Sequence, residues 1–216
     1  ISIYPVDPTL VTLKVITMLN RTSSILITLF FISSACHASD SILKRSHDLE
    51  AKGDYEAAAA LVKPWAATDD EYAILRYAYL KYMQGEYNES IEYYEKAIEL
   101  NPKSLSAKLG ITKPQIAQGR WRQVKIYTRQ VLVRSDWNYT AHLRLMMAEE
   151  GTKKWHSLDK HAGKLVEIYP GDSTAYLYLA RANAWQGDEP VAKAAYEEVL
   201  HRSPDHLEAD TYLKEH

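Results

Sequence analysis

Cysteine is almost missing. Cys36 is the only one in 216 residues, so no disulfide can staple this chain to itself. Charge of one sign is missing too: Lys and Arg total 26 against 28 Asp and Glu, a net charge of −2. That balance argues against a general nucleic-acid binder, whose domain would be strongly basic. Phenylalanine is scarce, two residues against sixteen tyrosines, which suits half-buried helix surfaces where a ring packs and its hydroxyl reaches water. The apolar run Ile25 to Ile32 is too short to span a bilayer, for which about 20 residues are needed. Motifs of catalysis are also lacking: no His-Glu-x-x-His pair, no glycine-rich phosphate loop, no Gly-x-Ser-x-Gly elbow. The expectation is a non-catalytic chain with no cofactor and no metal.

What is present is repetition. Gly85-Glu86-Tyr87, Gly119-Arg120-Trp121, Lys153-Lys154-Trp155 and Gly187-Asp188-Glu189 begin 34 residues apart, and Gly53-Asp54-Tyr55 lies 32 before the first. Seventeen residues after the last four markers come Pro102, Asp136, Pro170 and Pro204. A period of this length means a stacked array in which no unit can bury its apolar face alone. Each unit reads as two amphipathic helices. Ser173 to Gln186 carries Ala175, Tyr176, Leu179, Ala180 and Asn183 along one face, at helical spacing. Gly187 supplies a left-handed stop, Asp188 a cap, and Pro190 sits in the next first turn. Ser203-Pro204-Asp205 should end that second helix and cap the one after it. Thr68 or Asp69 should cap the helix after the acidic run Asp69-Asp70-Glu71. Pro64 should shorten its helix, and Pro114 should kink or break its own.

These residues resemble the tetratricopeptide repeat family. Its pattern has a small residue seven before the turn glycine, then an aromatic at two after it, alanine at five, an aromatic at nine, a small residue at twelve and proline at seventeen. The unit 71–104 matches with Ala78, Gly85, Tyr87, Tyr94, Ala97 and Pro102, with Ser90 in the alanine place. The unit 173–206 matches with Ala180, Gly187, Ala192, Tyr196 and Pro204. Unit 105–138 keeps Gly119 and Trp121, and unit 39–70 keeps Ser46, Gly53, Tyr55 and Ala58. Unit 139–172 departs furthest, with Lys153 for glycine, Leu158 for alanine and Gly163 inside its second helix. The resemblance implies an all-α, right-handed superhelical solenoid of about five helix-turn-helix repeats over 39–216, with a capping helix at 207–216.

Upstream the chain has another character. From Met18 a basic start leads through the short apolar run to Ser33-Ser34-Ala35-Cys36-His37-Ala38, the layout of a secretory signal peptide over 18–38. Cleavage after Ala38 is the first reading. Lipidation of Cys36 and an uncleaved anchor are the others, and residues 1–17 read as an upstream extension. An exported protein is expected, periplasmic or associated with an outer membrane, with extracellular release also open and membrane contact only through that segment.

Function should then be recognition. Family geometry places the first-helix positions thirteen, ten, six, three and two residues before each turn marker on a concave wall. On it fall Tyr72, Tyr79, Tyr82, Met83, Lys113, Met147, Arg181 and Trp185, residue types enriched at protein interfaces. A protein segment is the expected occupant, with Lys113 and Arg181 offering charge. A second candidate surface is basic. Eight cations and no carboxylate lie between Lys103 and Arg134, and Arg122, Lys125 and Arg129 share a helix face. Glu92 and Glu95 of the preceding unit are the expected answer to those charges. The alternative is an anionic polysaccharide or assembly partner of a surface-polysaccharide or pilus system. The lysine and asparagine clamp by which some tetratricopeptide domains hold chaperone C-termini is absent. His156 and His161, like His201 and His206, are five apart and read as solvated surface residues.

Overall fold

The computed structural model describes residues 41–216, so the upstream extension, the signal-type segment and Cys36 lie outside the described residues. The chain divides into two units, Ile1–Val62 and Lys63–His216. Among the described residues every regular element is a helix. In the first unit, α1 (residues 41–51) precedes α2 (Tyr55–Ala66), which runs past the unit boundary. The second unit then holds α3 (Glu71–Met83), α4 (Tyr87–Leu100), α5 (Leu105–Ala117), α6 (Trp121–Arg134), α7 (Tyr139–Gly151), α8 (Trp155–Ile168), α9 (Ser173–Gln186), α10 (Glu189–Arg202) and α11 (Leu207–Glu215).

The period is written into the helix ends. Asp70, Ser104, Asn138, Asp172 and His206 stand 34 apart, and each side chain accepts a backbone N–H in the first turn of α3, α5, α7, α9 or α11. Two expected caps therefore move. Asp70, not Thr68 or Asp69, caps α3 by accepting from Ala73 N at 2.9 Å. His206, not the Ser203–Asp205 stretch, caps α11. At the opposite ends, Gly53, Gly85, Gly119 and Gly187 take φ of 65 to 81°, and Lys153 takes the same left-handed form at φ 53°. A side chain there is held against its preference, because only glycine enters that region without a Cβ clash.

The prolines cost less than their positions imply. Pro64 leaves α2 helical around it, but α2 has 12 residues where α4 has 14. That deficit of two matches the 32-residue step. Pro114 does not break α5, which runs unbroken to Ala117. Near it, side-chain donors meet a carbonyl of the preceding turn. Thr112 Oγ1 donates to Leu109 O at 2.8 Å, and the Arg144 guanidinium reaches the same carbonyl.

Small residues set how closely paired helices cross. Ser90 Oγ donates to Ala78 O at 2.7 Å across α3 and α4, and within the first unit Ser46 Oγ donates to Ala58 O at 3.2 Å. Tyr94 fills the space beside the first of these crossings, packed with Ala78, Ile91 and Ile111. Its ring lies flat on Gly110, where a Cβ would stand 2.2 Å from Cε1. In α7 and α8 the crossing positions are instead Met146 and Leu158, both fully buried, and these two helices approach least closely of the consecutive pairs from α3 to α11.

Candidate docking wall

Within residues 63–216 the first helices α3, α5, α7 and α9 contact one another across successive repeats, and the second helices do not approach to that degree. The first helices therefore lie on the inner side of the curve. Their inward positions are set by the helical period: Ala73, Ile74, Tyr77, Ala78 and Leu80 of α3 are buried, while Tyr72, Leu75, Tyr79, Tyr82 and Met83 reach solvent. The corresponding positions of α5, α7 and α9 are likewise half-buried or exposed.

Five of the named wall residues gather in two places: Tyr79, Tyr82 and Lys113 in one, Arg181 and Trp185 in the other. Lys113 Nζ lies 4.9 Å from the Tyr79 ring centroid and 6.0 Å from that of Tyr82, so α3 and α5 build an aromatic shelf with a cation seated on it. Tyr72, exposed, turns toward Trp65 with ring centroids 6.5 Å apart. Met83 is half-buried, and Met147 packs against the core around Met146 and Leu158.

The second cluster surrounds Arg181. Its Nη2 donates to Glu208 Oε2 at 2.5 Å, its Nε to Glu208 Oε1 at 2.8 Å, and its Nη1 to Glu150 Oε1 at 3.2 Å. Tyr196 donates its hydroxyl to Glu208 Oε1 at 3.0 Å. The charge expected to be on offer is thus already answered, because α11 carries Glu208 across to it. Hydrogen bonds from Arg181, opposed by burial, hold the Glu208 carboxyl below its ordinary value. Burial, with the Glu150 charge nearby, pushes the Tyr178 phenol up to about 12. An open cleft of about 370 Å³ lies here, bounded by Glu150, Arg181, Ala184, Trp185, Tyr196, Glu208 and Tyr212.

Trp185 owes its prominence to a mismatch between repeats. Trp121, two after its marker, lies on Gly151, two before the next, where a Cβ would come within 2.5 Å of the indole. Trp155 occupies the same place one repeat later, but there the facing residue is Trp185. The two indoles stack at 5.2 Å with planes 2° apart, and Trp185 stays 66% exposed. Nothing along a single helix signals that pairing.

The basic surface is not assembled as one patch. Lys125 turns toward the next repeat and donates to Thr152 Oγ1 at 3.1 Å, whereas Arg122 and Arg129 face solvent. Among the described residues no carboxylate forms an ion pair with Arg122, Lys125 or Arg129, so Glu92 and Glu95 do not answer them within contact distance.

One polar chain escaped the sequence reading. His161 is not a solvated residue. It pairs across α7 and α8 with Glu149 at 3.0 Å and with His142 at 2.8 Å, and His142 continues to Asp136 O at 2.7 Å. The bulky Met146–Leu158 crossing leaves the space that this chain fills. Among the described residues no cluster of three His, Cys, Asp or Glu could hold a metal ion.

Helix pairs capped at one period, stacked so that first helices line an inner wall, define a helical-hairpin repeat array. The chain is a tetratricopeptide-repeat protein: the family's profiles match residues 78–104 and 174–206. Solved structures agree on the fold. MamA from Desulfovibrio magneticus is 16% identical, with 78% of this chain and 96% of that one aligned at a TM-score of 0.71. A tetratricopeptide repeat protein from Parabacteroides merdae is 13% identical, covering 82% and 71%, at a TM-score of 0.72. YrrB, described as a TPR protein with an unusual peptide-binding site, is 14% identical, covering 80% and 90%, at a TM-score of 0.69. No curated protein matches this chain in sequence.

Proposed function

We propose that this protein is a non-catalytic scaffold of the cell envelope that holds a segment of a partner protein against its inner wall. Proteins built from tetratricopeptide repeats generally act as interaction scaffolds. The carrying observation is Trp185, an indole left in solvent beside the cleft around Arg181. Exposed aromatics next to a partly polar cleft serve as anchors at protein interfaces. Because Arg181 and Lys113 are engaged within the wall, partner affinity would come from apolar or aromatic side chains laid on the Trp155–Trp185 stack and the Tyr79–Tyr82 shelf. Two carboxylates against one guanidinium leave the cleft with an excess negative charge, which favours a basic residue beside that anchor. YrrB's peptide-binding site gives a precedent for peptide docking on this kind of array.

Envelope placement rests on the pattern from Met18 to Ala38. Mass spectrometry of the mature N-terminus should find Ser39; a lipidated Cys36 would make the protein membrane-tethered instead. A photo-crosslinking residue placed at Tyr82 or Trp185 should capture a protein in the native compartment, while one at Gln123 on α6 should not. Equal capture from Gln123, or recovery of small metabolites only, contradicts the scaffold reading.

A further inference from the structure

The outward face of α6 departs from those of α4, α8 and α10 at the same register. Arg122, Ile126, Arg129 and Val133 fall within about 60° of arc at 100° per residue, along about 16 Å of helix. One repeat earlier those four places hold Asn88, Glu92, Glu95 and Glu99; later they hold His156, Lys160, Gly163 and Glu167, then Pro190, Ala194, Glu197 and His201. Packing of the array therefore does not require an aliphatic residue at either place. Yet Ile126 is 52% and Val133 87% exposed, and Trp137, a turn beyond, is 62% exposed. Trp137 also lines a cleft of about 200 Å³ with Leu165, Ile168, His142 and His161, together with Lys164 and one carboxylate, Asp136.

We infer that this ridge docks on an anionic lipid surface. Alternation of cation and aliphatic along one stripe puts both kinds of side chain on one face: guanidinium groups at the headgroups, with Ile126 and Val133 just beneath them, and the exposed Trp137 in the turn that follows α6. Lacking carboxylate partners, Arg122 and Arg129 need shed no internal ion pair to meet lipid phosphates. A polysaccharide would satisfy the cations but leave the aliphatic residues unused. An acidic peptide could meet the cations in the same way but would not call for bare aliphatic side chains between them, and α6 is on the outer, convex side of the stack, the shape that meets a flat surface. The surface is distinct from the inner wall, so one molecule can touch a bilayer and hold a partner together.

Co-sedimentation of the full-length chain with phosphatidylcholine vesicles, with and without phosphatidylglycerol, tests this. Each variant is compared with its parent, so that contributions from the rest of the chain cancel. The parent should prefer anionic vesicles, and Arg122→Gln with Arg129→Gln should weaken that partitioning about thirtyfold, two cations' worth. Ile126→Ser with Val133→Ser should weaken it while leaving its salt dependence, and Trp185→Ala on the inner wall should leave vesicle partitioning as in the parent while touching only the partner-binding surface. All these side chains are exposed, so circular dichroism should confirm unchanged helix content. Brominated lipid should quench a tryptophan signal that Trp137→Phe removes. Equal binding to neutral and anionic vesicles overturns the inference, as do stripe variants that bind like the parent. Binding to dextran sulfate or polyglutamate without any vesicle preference overturns it as well.

Discussion

Repeats 71–104 and 139–172 share an outline and differ at their crossing. In the first, Ala78 and Ser90 let α3 and α4 come close enough for a hydroxyl to reach a facing carbonyl at 2.7 Å. In the second, Met146 and Leu158 hold α7 and α8 apart, and the gap is filled by Glu149, His161 and His142. The turn follows the same division, glycine at Gly85 and a strained lysine at Lys153. A repeat can thus lose its small residues and keep its place, because the stack supplies neighbours on both sides. What it gives up is tightness within the pair.

Breaking the closer pair should cost most. Tyr94→Ala removes a ring packed on Gly110 and should destabilise by about 4 kcal/mol in urea unfolding, as buried aromatic truncations do. His161→Ala attacks the wider pair. It leaves Glu149, only 5% exposed, without its donor, at a cost of about 2 kcal/mol. The turns should respond with opposite signs. Gly85→Ala forces a Cβ into a left-handed residue and should cost about 1 kcal/mol, while Lys153→Gly should gain somewhat under 1 kcal/mol. The smallest effect is a pH dependence that Glu89 gives repeat 71–104. Burial pushes the Glu89 carboxyl up, but hydrogen bonds from Lys81 and Tyr77 outweigh it and hold the group below 4.5. Its contribution is full above that value and fades as pH falls through the lowered one. Glu89→Gln should flatten that acid slope in thermal melts, and an unchanged slope would rule the pairing out.

The fold was legible because the signals that carry it are local and periodic. Markers 34 apart fix where helices end, and the acceptors at Asp70, Ser104, Asn138, Asp172 and His206 repeat at the same step. The candidate wall came as a list of positions from the resemblance to tetratricopeptide repeats, and those positions of α3 and α9 are half-buried or exposed. Its chemistry was not legible. Glu208 reaches Arg181 from 27 residues away, and Trp155 meets Trp185 from the next repeat. Reading His161 against His156 along one helix hid its true partners, which are on α7. Charges that look available in one dimension are answered, or left unanswered, by residues a repeat apart. Arg181 illustrates the first outcome and Arg129 the second.

Native-state hydrogen exchange on residues 63–216 tests most directly the claim that close helix crossings, and not position in the stack, set local tightness. Amides of α7 and α8 should exchange faster than those of α3 and α4, although α7 and α8 have stacked helices on both sides. Protection that simply rises from the ends of the array toward its middle, with α7 and α8 as slow as their neighbours, would contradict it.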